Sequence, residues 1–338
     1  MFPCGSALSH VLDIKIHFLY NSGPYMDHLA WLMGLPQPLG YVPTTCGLAL
    51  SDKMSFGERI LNTIESYFSM GYAENYDETN QLFQQFYGQD FPDVKNIIQK
   101  SPLVFTYVNR FIDFPRPIFA KDVYIGGLGM FDSSSEPLEE PFKSEIKKGK
   151  NGVVFFTNWA PQNQLLKHEN LKLFITHGGY NSILETAQSG KPCLLIPLMF
   201  DQLRNAKVVE KNGWGKILPS TSLLETSAEL VEQLNDLLTN PTYSTAAKRI
   251  KNLLETTPFS PQELLAKNVQ FVLDNNGILP ELEPASLQLS TIQQFNLDVF
   301  AFFFTIFVLS FGSLIIFTKF ILKQLLKLSK SHHEKKTK

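Results

Sequence analysis

The chain of 338 residues has few cysteines, almost no net charge, and no basic segment followed by an apolar core at its start. Cys4, Cys46 and Cys193 are too few and too scattered for a disulfide framework or a metal site. A formal net charge of −2 argues against nucleic acid as a partner. The first residues run directly into apolar sequence, so we predict no signal peptide in this chain.

Two other common signals are missing as well. The sequence contains no internal repeat and no Asn-x-Ser/Thr site free of proline. Gly126, Gly127 and Gly129 lie close together, but no helical pattern follows them. They therefore do not form the glycine fingerprint of a nicotinamide-binding fold, and a soluble dehydrogenase is a poor match for this chain.

A strand–turn–helix–strand pattern occupies residues 171–197. Leu171–Thr176 is an apolar run of strand length, and a Gly-Gly pair follows shortly after it. Residues 182–189 have helical character and end at Gly190, and residues 193–197 are apolar again. This order predicts a βαβ unit, which belongs to a parallel sheet.

The turn of this unit has the chemistry of a phosphate site. Gly178 and Gly179 carry no Cβ, so a ligand can approach the backbone closely. The helix that follows directs free N–H groups and its positive dipole end at the turn. His177 and Asn181 add donors there, although His177 taken alone is also typical of a satisfied histidine at a strand end.

Polar side chains around the turn have the types needed to bind the rest of a nucleotide sugar. Glu185 lies on the following helix, where it can accept hydrogen bonds from hydroxyls. Asp201 and Gln202 follow the second strand, at the edge where open α/β sheets bind ligands. Upstream, Trp159 offers a flat ring to a base and Gln162 offers a donor and an acceptor. Trp159 taken alone is more typical of a core residue.

Together these positions resemble the donor-binding signature of the UDP-glycosyltransferases in residue type and in spacing. The matching positions are Trp159, Gln162, His177, Gly179, Asn181, Ser182, Glu185, Asp201 and Gln202. The amino-acid sequence of residues 175–179 is similar to that of the animal UDP-glucuronosyltransferase branch. A set of this size is much more specific than a lone His-Gly-Gly.

The resemblance assigns each position to one part of a UDP-sugar. By resemblance, the base is bound by Trp159 and Gln162, and the ribose is bound by Glu185. The diphosphate is bound by His177, Gly178, Gly179, Asn181 and Ser182, and the sugar is bound by Asp201 and Gln202. It also implies an inverting transfer between two facing Rossmann-like domains. The UDP-sugar would be a co-substrate, and neither a cofactor nor a metal is expected.

The predicted fold class is α/β, with two Rossmann-like domains of the glycosyltransferase B type, incomplete, and one C-terminal transmembrane helix. The expected segments are the remnant of an N-terminal acceptor-binding domain (1–131), a linker (132–141), a shortened C-terminal UDP-sugar-binding domain (142–291), the transmembrane helix (296–322) and a basic cytoplasmic tail (323–338).

Local patterns predict further elements. Phe56, Ile60, Ile64 and Phe68 recur near period four and favour an amphipathic helix over residues 54–70. Strands are expected at 15–19, 103–108 and 152–156. Helices are expected at 142–150, 204–212, 246–254 and 261–274, and a capping box is expected at 226–229. The Asn-Pro pair at 240–241 should end the helix that precedes it.

Two parts of the family pattern are missing from the sequence. By resemblance, the histidine that serves as general base and its aspartate partner would lie before Met1, so no catalytic residue is assigned. The resemblance also implies that a phosphate-contacting loop, a helix and a strand are missing between Phe156 and Trp159. We therefore expect a fragment, a splice form or an incomplete gene model, without turnover of its own.

The C-terminal end has the pattern of a membrane anchor. Residues 299–318 carry no charge, and twenty residues at ~1.5 Å each span about 30 Å, the thickness of the hydrocarbon layer. No Lys or Arg occurs in 268–318, but seven lysines follow. This asymmetry predicts a single-pass type I protein with lumenal domains. The ending Lys335–Lys338 is similar to a dilysine retrieval signal of the endoplasmic reticulum, and a merely basic tail is the alternative.

The resulting hypothesis is hexosyl transfer, with glucuronic acid ahead of glucose, from a UDP-sugar to a hydroxyl of a small lipophilic acceptor. Such a reaction is typical of detoxification in the endoplasmic reticulum membrane. The expected partners are UDP-glucuronic acid or UDP-glucose, the acceptor, membrane lipid around 296–322, and family members in a homo- or hetero-oligomer. The alternative is a catalytically silent, membrane-anchored UDP-binding or regulatory partner of active relatives.

Overall fold

A computed structural model describes residues 3–73, 76–130, 137–156, 160–222 and 227–336 of the chain. The chain divides into two compact units, Met1–Pro284 and Ala285–Lys338. The first unit contains two parallel sheets, which lie in a first half (up to 130) and a second half (from 137). The α/β class predicted from the sequence is confirmed. The predicted domain boundaries at 131, 142 and 291 stay predictions.

The first half is built around a three-stranded parallel sheet. Its described elements are α1 (Cys4–Val11), β1 (Leu19–Asn21), α2 (Asp27–Leu32), α3 (Phe56–Ala73), α4 (Tyr76–Tyr87), α5 (Val94–Gln99), β2 (Val104–Thr106) and β3 (Asp122–Tyr124). The strands pair in the order β1-β2-β3. Leu19 and Val104 pack on one face with residues of α1, α2, α4 and α5. Phe105 packs on the other face.

The second half is built around a four-stranded parallel sheet with the order β4-β5-β6-β7. Its described elements are α6 (Phe142–Glu145), a 3-10 turn (Ile146–Lys148), β4 (Val153–Phe156), α7 (Gln162–Lys167), β5 (Leu171–Thr176), α8 (Tyr180–Ser189), β6 (Cys193–Leu195), α9 (Gln202–Lys211), β7 (Gly215–Ile217), α10 (Ser227–Thr239), α11 (Pro241–Glu255) and α12 (Pro261–Asp274). The predicted unit of β5, α8 and β6 is confirmed, because these two strands pair in parallel.

Alternate side chains of β5 explain why this sheet is covered on both faces. Phe174 packs with α8 and α11 in one apolar cluster. Leu173 packs in a second cluster that includes Leu234 and Leu237 of α10. Because successive residues of a strand point to opposite faces, the apolar run predicted from the sequence is a strand buried on both sides. The capping box predicted before α10 includes Thr226, which lies outside the described residues.

Two predicted boundaries are corrected by the structure. The first strand covers Leu19–Asn21 instead of 15–19, because Ile16 and Phe18 pack on the cluster around Phe105 without pairing. The helix predicted from 246 begins at Pro241, and the Asn240 side chain accepts the Thr242 N–H at 3.1 Å. Proline is compatible with the first helical turn, where its missing N–H would have no partner in the helix.

Buried polar contacts join the two halves. The Tyr180 hydroxyl on α8 accepts the Asn109 N–H at 3.1 Å and donates to the Ile112 carbonyl at 3.2 Å. Arg204 on α9 donates to the Asp113 carboxylate at 2.5 Å, and both side chains are almost fully buried. Residues 109–113 follow β2, so the carboxyl edge of the first sheet is fixed against helices of the second half.

The last helix of the first unit returns to the first sheet. Leu264, Leu265, Val269 and Val272 of α12 pack against the face that contains Phe105. The Ser260 hydroxyl and the Glu263 carboxylate form a capping box that starts this helix. The helix predicted at 261–274 is confirmed, and it packs across the two halves.

The second unit consists mainly of one long helix. After a 3-10 turn (Ala285–Gln288) and a short α13 (Thr291–Gln294), α14 covers Leu297–Lys336. Its portion Leu297–Lys323 is 27 residues long and apolar enough to cross a membrane. The side chains of this portion are exposed in the described unit, which distinguishes it from the core helix of a globular protein.

Replacing the Tyr180 hydroxyl tests the contact between the two halves. We expect Tyr180→Phe to lower the free energy of unfolding by about 1–3 kcal/mol, because a buried N–H and a buried carbonyl both lose their partner. Tyr243→Phe is the matched control, since the Tyr243 hydroxyl donates to a partly exposed Asp236 carboxylate. Urea unfolding in detergent, followed by the fluorescence of the buried Trp214, measures both variants. Equal losses would contradict the role given to Tyr180.

The carboxyl group of Asp122 at the start of β3 predicts a dependence of stability on pH. Burial raises its pKa to about 7, against the lowering effect of the Phe119 N–H, Tyr25 and Arg116. The unfolded carboxyl loses its proton near pH ~4. Between these values the folded chain binds more protons than the unfolded chain, so stability is highest at the acidic end and falls as pH rises to about 7. Asp122→Asn should flatten this decline in urea titrations, and a decline equal to that of the wild type would contradict the assignment.

Candidate functional site

The turn between β5 and α8 has the conformation that its glycines predict. Gly178 adopts φ +87°, a region that L side chains rarely occupy. Its N–H donates to the Thr176 hydroxyl at 3.3 Å. A Cβ on Gly179 would lie 2.6 Å from Nε2 of His177, so this imidazole lies directly over the glycine backbone.

The N-terminus of α8 is available to a ligand. Gly179 stands at the N-cap and provides no capping side chain. The first backbone N–H that closes the helix belongs to Ile183, which donates to the Gly179 carbonyl at 3.1 Å. The N–H groups ahead of it, at 180–182, are the usual unsatisfied donors of a helix start, and the helix dipole adds positive potential there.

Five of the predicted site residues line one cleft of about 530 Å³. They are His177, Gly179, Asn181, Ser182 and Asp201. The first half supplies the facing wall with Ser22, Gly23, Pro24, Met26, Thr45 and Cys46. Residues 22–24 follow β1, and residues 177–182 follow β5, so the carboxyl edges of both sheets meet at this cleft. This is the position at which open α/β sheets bind ligands.

Two further predicted residues, Gln162 and Glu185, form one hydrogen-bonded group with Ser182 of the cleft. The Gln162 amide on α7 donates to the Glu185 carboxylate at 2.7 Å and to the Ser182 hydroxyl at 3.2 Å. Burial raises the pKa of Glu185, and the hydrogen bond from Gln162 opposes this rise. Gln162 and Glu185 are 23 positions apart in sequence, and the structure brings them together.

Asp201 is held in place by a residue that the sequence analysis did not single out. The Asn205 amide, buried on α9, donates to the Asp201 carboxylate at 2.7 Å and to the Gly178 carbonyl at 3.1 Å. Asn205 therefore connects the glycine turn to Asp201. Its spacing of four from Asp201 was a usable signal, because residues at i and i+4 share a helix face.

The predicted sugar-binding residue Gln202 has a structural contact of its own. Its side-chain oxygen accepts the N–H groups of Leu198 and Met199 at 2.9 and 3.1 Å. Between them and Asp201, Phe200 adopts φ +56°, an uncommon conformation for a bulky residue. The amide oxygen of Gln202 is thus occupied by the loop, and its NH₂ group is the part left for a ligand.

Two residues differ from the others in how the sequence prediction relates to the structure. Trp159 lies outside the described residues. Cys46 reaches the cleft from the first half, and its pKa rises to about 11 through burial and through the nearby charges of Asp27 and Asp201. The side chain is therefore a neutral thiol at physiological pH. Nothing in the local sequence around Cys46 indicated that it would face residues 177–182.

The described groups suit an anionic, hydroxyl-rich ligand. A positive helix end, a glycine turn and an imidazole lie together and can accept a phosphate group. The carboxylates of Glu185 and Asp201 both follow this turn along the chain and can accept hydrogen bonds from hydroxyls. This combination of charges matches a phosphorylated sugar or nucleotide.

Known proteins resemble this chain in sequence and in structure. The family model described as "UDP-glucoronosyl and UDP-glucosyl transferase" matches residues 1–158 and 155–335. The putative UDP-glucuronosyltransferase ugt-47 of Caenorhabditis briggsae is 30% identical over 94% of this chain and 68% of that protein. Human UDP-glucuronosyltransferase 1A6 is 27% identical over 89% of this chain and 64% of its own length. The crystal structure of the glycotransferase of kitacinnamycin aligns with a TM-score of 0.45 and 16% identity, covering 73% of this chain and 72% of that chain.

The Gln162–Glu185 contact generates a prediction about protonation. Gln162→Leu removes the hydrogen bond that opposes the effect of burial, so the pKa of Glu185 should rise further above its ordinary value. Titration of the Glu185 carboxyl carbon by NMR measures the change. Gln164→Leu, on the same helix, is the control and should leave this titration unchanged. A Glu185 pKa that is the same in both variants would contradict the contact.

Proposed function

Because the chain belongs to the family of UDP-glucoronosyl and UDP-glucosyl transferases, we propose that its cleft binds a UDP-sugar as the donor of a hexosyl group. Glucuronic acid is the first candidate for that group and glucose is the second. The acceptor is a hydroxyl of a small lipophilic molecule, and transfer inverts the anomeric centre. The observation that carries the proposal is the convergence of His177, Gly179, Asn181, Ser182 and Asp201 on one cleft.

In this proposal the diphosphate lies at the N-terminus of α8. His177, Asn181 and Ser182 donate to its oxygens, and Gly178 and Gly179 allow the close approach. The exposed imidazole of His177 over Gly179 and the uncapped helix start support this placement. Charge-assisted hydrogen bonds of this kind are among the stronger polar contacts in proteins.

The nucleoside is assigned to the group beside the cleft. Glu185 accepts hydrogen bonds from the ribose hydroxyls, Gln162 reads the edge of uracil, and Trp159 stacks on its ring. The contact between Gln162 and Glu185 supports this assignment, because it holds a base-reading amide next to a ribose-reading carboxylate. The amide and carboxylate oxygens are suited to hydroxyl and imide partners.

The sugar is assigned to Asp201 and Gln202. The hydrogen bond from Asn205 keeps the Asp201 carboxylate at the cleft, and the loop contacts of Gln202 leave its NH₂ group as a donor. Pro24, Met26 and Cys46 on the facing wall give the acceptor an apolar surface. Transfer then takes place between the two walls, where water is excluded by the ligands themselves.

We propose that the protein resides in the endoplasmic reticulum membrane. One apolar helix, Leu297–Lys323, is long enough to span a bilayer. The lysines that follow it favour a cytoplasmic tail, so the first unit lies in the lumen. The segment Lys335–Lys338, which is similar to a dilysine retrieval signal, supports location in the endoplasmic reticulum.

A second candidate function is a UDP-binding partner of active family members without turnover of its own. Among the described lining residues of the cleft, His177 is the one histidine, and the proposal uses it for the diphosphate. A transferase of this kind needs a general base at the acceptor hydroxyl, most often a histidine. Binding and turnover therefore have to be measured separately.

Donor binding is tested with UDP alone, titrated calorimetrically into the full chain in detergent. We expect UDP to bind, and His177→Ala and Glu185→Ala each to weaken binding by about 10–100-fold, since hydrogen bonds to charged groups contribute ~1.5–3 kcal/mol. His168→Ala is the control, because His168 accepts the Asn170 N–H just before the start of β5, at the end of the strand away from the glycine turn. Unchanged affinity in all three variants would contradict the proposed donor site.

Turnover is tested with UDP-glucuronic acid, UDP-glucose and a phenolic acceptor. From the sequence we expect UDP binding without turnover by this chain, the outcome that favours the partner function. Formation of a β-linked glycoside would instead establish the transferase in this chain, and the preferred donor would identify the sugar.

A further inference from the structure

A second cavity lies further along α8 than the cleft of the proposed donor site. Its volume is about 560 Å³, and α8 contributes Leu184 and Gln188 to its wall. The first half contributes residues 108–111 and Tyr124, and the connection from α11 to α12 contributes residues 257–264. Among the described lining residues, none belongs to both this cavity and the cleft. The two sites are therefore separate, although one helix borders both.

The walls of this second cavity are largely aromatic and aliphatic. Phe111 and Tyr124 are partly buried against the main apolar cluster of the second half, so their rings have a fixed backing. Phe259 lies across from them on the connection between α11 and α12 and is 52% exposed. Cavities of about 300–1,000 Å³ with such walls are typical of sites for small organic molecules. The cavity therefore suits a flat apolar body.

A smaller cavity of about 350 Å³ adjoins the aromatic one and is rich in lysine. Three residues line both cavities, namely Gln188, Leu254 and Glu255. The smaller cavity is also lined by Lys167 at the end of α7, Lys191 after α8 and Lys251 on α11. Its one lining carboxylate, Glu255, lies 3.7 Å from the Lys251 ammonium group. In the described part of the chain, neither Lys167 nor Lys191 forms a salt bridge.

The positive charge of the lysine cavity has a cost in the ligand-free chain. Burial lowers the pKa of Lys191, and the nearby charges of Lys172, Lys251 and Lys248 lower it further. Both effects disfavour the charged form of this side chain. The excess of lysine is local, because the whole chain has a formal net charge of −2. A bound anion would relieve the repulsion through charge-assisted hydrogen bonds.

The end of α8 does not require these lysines. Gly190 adopts φ +69°, and its N–H donates to the carbonyls of Thr186 and Ala187, both at 3.2 Å. Lys191 contributes its backbone N–H, which donates to the Ser189 hydroxyl at 3.2 Å. Its ammonium group donates no hydrogen bond to the described residues, so this group is available to a ligand.

We propose that the two adjoining cavities form a binding site for an amphiphilic organic anion, separate from the donor cleft. The aromatic body of the ligand lies against Phe111, Tyr124 and Phe259. Its sulfate or carboxylate group reaches past Gln188 and accepts hydrogen bonds from Lys191 and Lys251. The site does not depend on the proposed UDP-sugar, because it shares no described lining residue with the cleft.

The test uses 1-naphthyl sulfate, titrated calorimetrically into the full chain in an uncharged detergent. We expect saturable binding of one probe per chain. The variant K191Q/K251Q should weaken it about tenfold or more, because the sulfate loses two charge-assisted hydrogen bonds. Phe259→Ala should weaken it about fivefold, because the ring loses an apolar wall. The matched control K53Q/K100Q removes two exposed lysines of the first half and should bind like the wild type.

Three outcomes would overturn the proposal. The first is equal affinity in the wild type and K191Q/K251Q, because the probe would then bind elsewhere. The second is inorganic sulfate that binds as tightly as the probe, because the site would then recognise a small anion only. The third is complete displacement of the probe by UDP, because the probe would then occupy the donor cleft. In that case the donor proposal would stand and this one would fail.

A second measurement uses the wild-type chain and so does not depend on the folding of a variant. Lysines are acetylated with acetic anhydride, and the rate at each position is read by peptide mass spectrometry. At a concentration ten times its Kd, the probe leaves about one site in ten free, so acetylation of Lys191 and Lys251 should slow about tenfold. Lys53 and Lys100 should react at the same rate with and without the probe. Unchanged acetylation of Lys191 and Lys251 would contradict the site.

Discussion

The arrangement of this molecule depends on the buried polar contact between its two halves. The Tyr180 hydroxyl and the Arg204–Asp113 pair fix the segment after β2 against α8 and α9. Since β1 lies beside β2 and α8 follows β5, the same contact sets the distance between the two carboxyl edges. A buried pair of this kind tolerates little change, because removing one partner leaves an uncompensated charge that costs about 3–5 kcal/mol.

Donor chemistry and fold stability share residues in the second half. Asn205 donates to both the Gly178 carbonyl and the Asp201 carboxylate, so one side chain connects the glycine turn to the proposed sugar-binding carboxylate. Tyr180 is the first residue of the helix whose N-terminus would receive the diphosphate, and its side chain holds the opposite half. A ligand at this turn would thus be in contact with the element that joins the sheets. Such preorganised donors bind charge without reorganising first.

The first half combines a polar interior under α3 with an apolar outer face. Asn62 satisfies the backbone of the 39–44 segment, and Thr45 and Cys46 just beyond it line the cleft. The helix α3 therefore supports one wall of the proposed acceptor region. The sequence periodicity of α3 predicted that it is a helix with two different faces. The periodicity did not predict which of the two faces is buried.

The sequence by itself determined the βαβ unit, the glycine turn and the long apolar helix. Each of these rests on short-range rules, such as strand and helix periodicity, the φ freedom of Gly178 and the i to i+4 spacing that places Glu185 on α8. Only the tertiary structure decided that Gln162 meets Glu185, that Cys46 faces residues 177–182, and that α3 turns its phenylalanines outward. Those outcomes depend on which distant backbone groups need a partner, and pairing between residues far apart in sequence leaves no local pattern to read.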